Sequence, residues 1–417
     1  MDINQLISDL DAVDMRNSDI LHVTAYENQL SKTATRFLSS KLSERYYFGG
    51  GDEHSVIDWN PFTVLGLGAI ENVLQAAEEG VKDMLGCSVV NLRPLSGVHA
   101  MLCVLLVATK PGDSVMIMRH EDGGHFSTQP LLEKTGRKIA YTTFDTTSLQ
   151  VDVAATAEEF VRTGSSAIYL DLSYPTAPIN LRELRAALGE SATIIYDASH
   201  TVGLMMGGQF QDPFAEGADI ICANTHKTLP GPHKGMIAFK DPVQGAEYNN
   251  IINNGLFSTS HTNNLISLAI SILELQKYGK EYALQVVQNA NALGRAFEEL
   301  GYRVRKLPST NDYTATHQVH VYLGDTHREN AYRNLVKNNI STNFDNRLGG
   351  EDFMRLGTQE LTRRGMSSLD MQHIARLMND AINGLDVQSE VKRFTTQFDC
   401  VYYSFDTGLP NVREAEI

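Results

Sequence analysis

Two polar knots interrupt the apolar middle of the chain. "YDASHTVGLMM" (196–206) sets Asp197 and His200 at the end of an apolar run, and "ANTHKTLPGPHKG" (223–235) sets Asn224, His226 and Lys227 at the end of another, 30 residues downstream. A lysine beside a rigid Pro-Gly-Pro turn forms a Schiff base with an aldehyde once burial depresses its pKa. A carboxylate at a strand end can pair with a protonated pyridine nitrogen, the partner a pyridoxal cofactor needs as an electron sink. The plain alternatives are a solvated lysine and an aspartate that caps a helix. "PLSGVHAM" (94–101) places Ser96, Gly97 and Val98 ahead of an apolar helix. Backbone N–H groups and a hydroxyl there suit a phosphate, with simple capping as the alternative. "HEDGGHFS" (120–127) carries a glycine pair and His125, a histidine that either stacks on a flat ring or serves structure alone. Lysine, carboxylate, phosphate cradle and stacking candidate together are far less expected by chance than any one of them.

These residues need elements to bring them together. "SVMIM" (114–118), "AIYLDLS" (167–173), "TIIYD" (193–197), "ADIICAN" (218–224) and "GMIAFK" (235–240) are near-continuous apolar runs, the pattern of strands covered on both faces. Helical segments such as "NLRELRAALGE" (180–190) separate them, which predicts an α/β layer with a mostly parallel sheet. From about residue 265 the pattern changes to two helical stretches, 264–279 and 282–301, and then to shorter strands such as "HQVHVYLG" (317–324). The reading is an N-terminal helix and arm (1–45), a large cofactor domain (46–285) and a smaller α+β domain (286–417). Ligands in such a sheet sit at the carboxyl ends of the strands, where the polar knots are.

Bulk properties narrow the partners. The 417 residues are 42% hydrophobic and 20% charged, with 35 basic and 50 acidic side chains giving a net charge of −15. That balance argues against a nucleic-acid partner. The acidic start "MDINQLISDLDAVD" lacks the basic region of a signal peptide, and "MLCVLLVA" (101–108) is too short to span a bilayer. Four cysteines without CxxC spacing predict neither a metal cluster nor disulfides. A soluble cytoplasmic protein without membrane contacts is expected.

"THKTLPGP" and "YDASHTVGL", with "RYYFGG" (45–50), "LSGVHA", "GGHFS" and "RLGTQELTRRG" (355–365), resemble in kind and order the blocks of serine hydroxymethyltransferases, pyridoxal-phosphate enzymes of fold type I. The similarity spans roughly residues 20–385. It implies a Schiff-base role for Lys227, a pyridine-nitrogen contact for Asp197, and His200 at the ring hydroxyl. Ser96 and Gly97, with Val98, would cradle the phosphate. Ser173, Asn224 and His226 would line the cofactor, and Arg355 would clamp the substrate carboxylate. Glu44 matches the family's acid–base glutamate, with Tyr46 and Tyr47 beside it. By family analogy the chain would be at least a homodimer.

The departures surround the same pocket. The family's "ASEN" is "AYEN" here, so Tyr26 replaces a small serine on the substrate side. Leu42 replaces a tyrosine, and His233 an arginine. Asp122 stands where the family is expected to place its ring-stacking histidine, leaving His125 as a substitute. "STSHTNN" (258–264) replaces a glycine-rich loop and offers His261 and Thr262 to the phosphate. The segment ahead of Arg355 is shorter than the folate-contacting loop. The expectation is aldol chemistry at Cα–Cβ of a β-hydroxy-α-amino acid, by a folate-independent aldolase or a transaldolase that uses an aldehyde acceptor. Folate-dependent hydroxymethyl transfer, other pyridoxal chemistry (transamination, racemisation, replacement at Cβ) and a non-catalytic binding subunit are the alternatives.

Overall fold

The structure is a computed structural model describing residues 2–50, 55–59, 62–308 and 310–410 of the chain. Helix α1 (Ile3–Asn17) starts at Asp2, whose carboxylate accepts the Asn4 N–H, and it buries none of its own residues. After the N-terminal arm come β1 (Val89–Asn91), α2 (Gly97–Ala108), β2 (Ser114–Ile117), β3 (Lys138–Tyr141), β4 (Ser165–Leu170), β5 (Thr193–Asp197), β6 (Ile220–Asn224) and β7 (Gly235–Phe239). The strands form one seven-stranded sheet in the order β1-β7-β6-β5-β4-β2-β3. Only β7 runs antiparallel to its neighbours, β6 and β1; the other pairs are parallel.

Every residue of β2, β6 and β7 is buried, which explains their unbroken apolar runs. Side chains alternate between faces. Ile168, Ile194 and Ile221 enter one core, while Val115, Tyr169, Ile195, Cys222 and the inner side of α2 enter the other. In register, Asp197 lies beside Cys222, so the carboxyl ends of β5 and β6 open at one level.

Helix α3 (Thr262–Glu299) is a single element of 38 residues, where the sequence pattern predicts two. The reason is Gly279. It does not break the helix; it permits close packing, and a Cβ on the facing Gly207 would stand 2.4 Å from the Gly279 carbonyl oxygen. The expected boundary at 285/286 therefore falls inside one continuous helix, which contributes Val286 to the first core and Ala290 to the next.

Beyond it, β8 (Arg303–Val304), β9 (Gln318–Tyr322), β10 (Asn343–Asp345) and β11 (Phe353–Gly357) form a sheet in the order β8-β9-β11-β10, antiparallel throughout. The N-terminal arm crosses to this layer. Leu21–His22 pairs in parallel with Ile340–Ser341, and Thr24 bridges Leu356. That crossing carries Tyr26 to Arg355. Among the described residues, no helix is long and apolar enough to cross a membrane.

Candidate active site

Lys227 follows β6 and points into the space above the strand ends. Its Nζ lies 3.0 Å from Nε2 of His200. Burial pulls the ammonium down to about 7, with Arg355 pushing the same way and Asp197 opposing. From the N-terminal arm, the Asn28 amide donates to the Lys227 carbonyl at 2.6 Å.

Asp197 caps no helix. Its Oδ1 accepts the Ser199 N–H at 2.8 Å and its Oδ2 the Tyr169 hydroxyl at 2.6 Å. Tyr169 is wholly buried, so this clamp fixes the carboxylate against the cavity. His200 is a neutral ring, held far below the ordinary histidine range by burial and by nearby Lys227 and Arg355.

These groups line a cavity of about 340 Å³ together with Tyr26, Ser96, Gly97, Val98, His125, Ser173, Asn224 and His226. Ser96 caps α2, its hydroxyl accepting the His99 N–H at 3.1 Å. Gly97 is required there, since a Cβ would stand 2.9 Å from Cβ of Asn224. His125 lies in the cavity wall, and its N–H donates to Asp171 at 3.0 Å.

Arg355, on β11, is buried. Its guanidinium donates only to neutral groups, the Ser173 carbonyl at 3.2 Å and Asn343 Oδ1 at 3.3 Å. It sits 5.7 Å from the Tyr26 ring and 5.4 Å from the Tyr174 ring. The nearby carboxylate, Asp345, is engaged by Arg347 at 2.8 Å and by the Tyr174 hydroxyl. Among the described residues, Arg355 has no carboxylate within ion-pair distance. A buried guanidinium with such partners is a waiting anion site. Tyr26 also borders a second, more open cavity of about 800 Å³, lined by Arg328, Tyr332, Arg333 and Phe344.

A family model described as serine hydroxymethyltransferase matches residues 3–378. The chain belongs to the serine hydroxymethyltransferase family. It is 34% identical over 382 residues to a fluorothreonine transaldolase of Streptantibioticus cattleyicolor, covering 90% of this chain and 59% of that protein. It is 33% identical over 408 residues to a serine hydroxymethyltransferase of Methanosphaera stadtmanae, covering 94% of this chain and 93% of the relative. Among solved structures, an L-threonine transaldolase from Pseudomonas fluorescens, crystallised in an internal aldimine state, superposes with a TM-score of 0.86 at 31% identity. That match covers 97% of this chain and 94% of the other.

The chain is thus a pyridoxal-phosphate-dependent enzyme of fold type I. The residues present fit that cofactor. Asn224 Oδ1, His226 Nδ1 and Asp171 Oδ1 are buried around the cavity without a hydrogen-bond partner among the described residues, and Gly97 keeps its backbone open at the start of α2. Lys227 would hold the aldehyde carbon, Asp197 would face the pyridine nitrogen, and Ser96 with the first turn of α2 would take the phosphate.

Not every predicted residue reaches this cavity. Asp122 does not line it; its N–H closes a turn on the Arg119 carbonyl at 3.1 Å. His125 lines the cavity instead, three residues on, past a turn through Gly123, at φ +99°, that packs against Tyr174. Glu44 ends a short 3-10 turn on the surface, 3.7 Å from Arg45. Tyr46 is 58% exposed, and Tyr47 is buried against Glu71. His261 is exposed, and the Thr262 hydroxyl donates to the Arg45 carbonyl at 2.6 Å. Within one chain these six residues do not line the cavity.

Four residues of the site escaped the sequence reading: Asp171, Ser199, Gln318 and Asn28. Burial pushes the Asp171 carboxyl up to about 7. An acid inside "AIYLDLS" and a glutamine inside "HQVHVYLG" were the available signals.

Proposed function

We propose that this enzyme cleaves the Cα–Cβ bond of a β-hydroxy-α-amino acid of the threonine or serine type and passes the glycine unit to a second aldehyde without folate. The observation that carries this reading is Arg355: a buried guanidinium without a carboxylate partner among the described residues, hydrogen-bonded to the carbonyl of Ser173 in the cavity wall. It suits the carboxylate of an amino acid. The rings of Tyr26 and Tyr174 flank it.

Pyridoxal phosphate, when bound, supplies the electron sink for the pair released at Cα. The protein's own groups do the rest. Arg355 orients the substrate so that its Cα–Cβ bond faces the cavity interior. Asp197, fixed by Tyr169 and Ser199, keeps a negative charge at the far end of the cavity. Bond cleavage requires loss of the β-hydroxyl proton. Lys227, with its amine near 7, is basic enough to accept it at Nζ. The more open cavity beyond Tyr26 offers room for an acceptor aldehyde.

Glu44 and Tyr46 lie on the surface of one chain, and α1 turns Leu6, Leu10 and Val13 to solvent. Apolar side chains in a row along an otherwise polar helix suit contact with another protein surface. We place that surface on a second copy of the chain, in a homodimer where Glu44 reaches the partner's cavity.

Folate-dependent hydroxymethyl transfer is the second reading, supported by the near-equal identity to a serine hydroxymethyltransferase, 33% against 34%. The experiment is to incubate the loaded enzyme with L-threonine, without folate, with and without an aromatic or sugar aldehyde. Acetaldehyde release that rises with the added aldehyde supports the proposal. Glycine formation from serine only with tetrahydrofolate, and no acetaldehyde, overturns it for the second reading.

A further inference from the structure

Three histidines and a glutamine meet behind Lys227. Gln318 and His320 lie on β9, with His317 just before it, and all are buried. The Gln318 amide nitrogen donates one proton to the Ser173 carbonyl at 3.1 Å and directs its other to Nδ1 of His200 at 3.0 Å. Its Oε1 lies 3.3 Å from Nε2 of His320. Orientation of a glutamine amide is settled by its neighbours. Here the flipped amide would set its oxygen against the Ser173 carbonyl oxygen, two acceptors face to face in a buried site. The nitrogen must therefore point as described.

The consequence passes through His200. An amide N–H aimed at Nδ1 requires that nitrogen to accept, and in a neutral imidazole the proton then sits on Nε2. Nε2 is the atom 3.0 Å from Lys227 Nζ. With its proton there, His200 donates and Lys227 accepts, which only the unprotonated amine can do. The Ser173 carbonyl that anchors Gln318 also accepts from Arg355 Nη1 at 3.2 Å. One backbone oxygen thus ties the anion clamp to the histidine that governs the lysine.

We propose that Gln318 is a positioning residue that locks His200 in the Nε2–H tautomer, so that His200 meets Lys227 as a hydrogen-bond donor and holds it as a free amine. When the Lys227 nitrogen is bonded to the cofactor, the same N–H remains as a donor at that end of the cavity. Burial reinforces the arrangement, since His200, His317 and His320 are all held below the ordinary histidine range and stay neutral. The role rests on the cavity being the cofactor site, but the tautomer does not.

The test reads the tautomer directly. Two-bond proton–nitrogen correlation spectra are recorded on protein labelled with 15N in its histidines, before and after loading with pyridoxal phosphate. His200 is assigned by the signals lost in His200→Asn. The expected wild-type pattern is a protonated Nε2 and an unprotonated Nδ1, in the cofactor-free protein as well. Gln318→Leu removes the amide and should lose the single Nε2–H pattern. Gln318→Glu, whose carboxylate only accepts, should move the proton to Nδ1. A wild-type Nδ1–H pattern overturns the proposal, as does an unchanged Nε2–H pattern in Gln318→Leu whose circular dichroism matches wild type. If neither variant folds, the wild-type spectrum alone decides. Because no substrate is present, failure here is separate from failure of the proposed reaction.

Discussion

The side-chain amide of Asn28 donates to the carbonyl oxygen of Lys227 at 2.6 Å, across 199 positions of the chain. The same nitrogen reaches the hydroxyl of buried Tyr282 on α3 at 2.9 Å. The N-terminal arm, the long helix and the Lys227 segment are thereby joined at one amide. Asn28→Ala leaves a carbonyl and a hydroxyl short of a donor, at a cost of about 1–3 kcal/mol. The expected outcome is a lower melting midpoint and weaker retention of pyridoxal phosphate, followed by the cofactor's absorbance on dialysis. Unchanged retention would show that the arm does not position Lys227.

Arg355 is expected to act on the substrate and leave the cofactor in place. Lysine cannot reproduce its planar fork, so Arg355→Lys should lose about 2 kcal/mol of carboxylate binding, or about 30-fold in kcat/KM. The loss should lie mainly in KM, while the absorbance of the loaded enzyme stays as in wild type. Steady-state kinetics alongside a cofactor spectrum checks both halves.

Lys227 sets a pH dependence. An amine attacks an aldehyde only when unprotonated. With Lys227 lowered from 10.5 to about 7 by burial, capture of pyridoxal phosphate by the cofactor-free protein should accelerate as pH rises through about 7 and then level off. An ordinary lysine would keep accelerating to beyond pH 10. The same shift bears on folding. Between about 7 and 10.5 the unfolded chain holds the proton that the folded chain releases, so this group adds stability as pH rises across that window. Stopped-flow rates and melting midpoints of wild type and Lys227→Met from pH 6 to 10 check the two directions.

The homodimer carries its own test. If Glu44 serves the partner's cavity, Lys227→Ala and Glu44→Gln are each inactive, yet a mixed dimer holds one intact site. Random exchange makes half the dimers mixed, so activity should return to about a quarter of wild type. No recovery after verified exchange would place both residues in the same site.

Lys227, Asp197, His200, Ser96 and Gly97 were legible from sequence because each ends an apolar run or opens a helix. Residue type and local period are enough to read such positions. The α/β class and the mostly parallel sheet were legible for the same reason, since strands covered on both faces show unbroken apolar runs. Tertiary contacts decided the rest. Asp122 and His125 are three positions apart in one glycine turn, and the tertiary contacts of that turn, Gly123 on Tyr174 and the His125 N–H on Asp171, leave His125 in the cavity wall and Asp122 out of it. Gly279 reads as a break between helices, but its pairing with Gly207 makes it an internal contact of one helix. Gln318 and Asn28 have no local pattern at all. Their roles come from hydrogen bonds spanning 118 and 199 residues. Local sequence encodes periodicity and turns; which distant polar groups share a buried space is set only when the whole chain has packed.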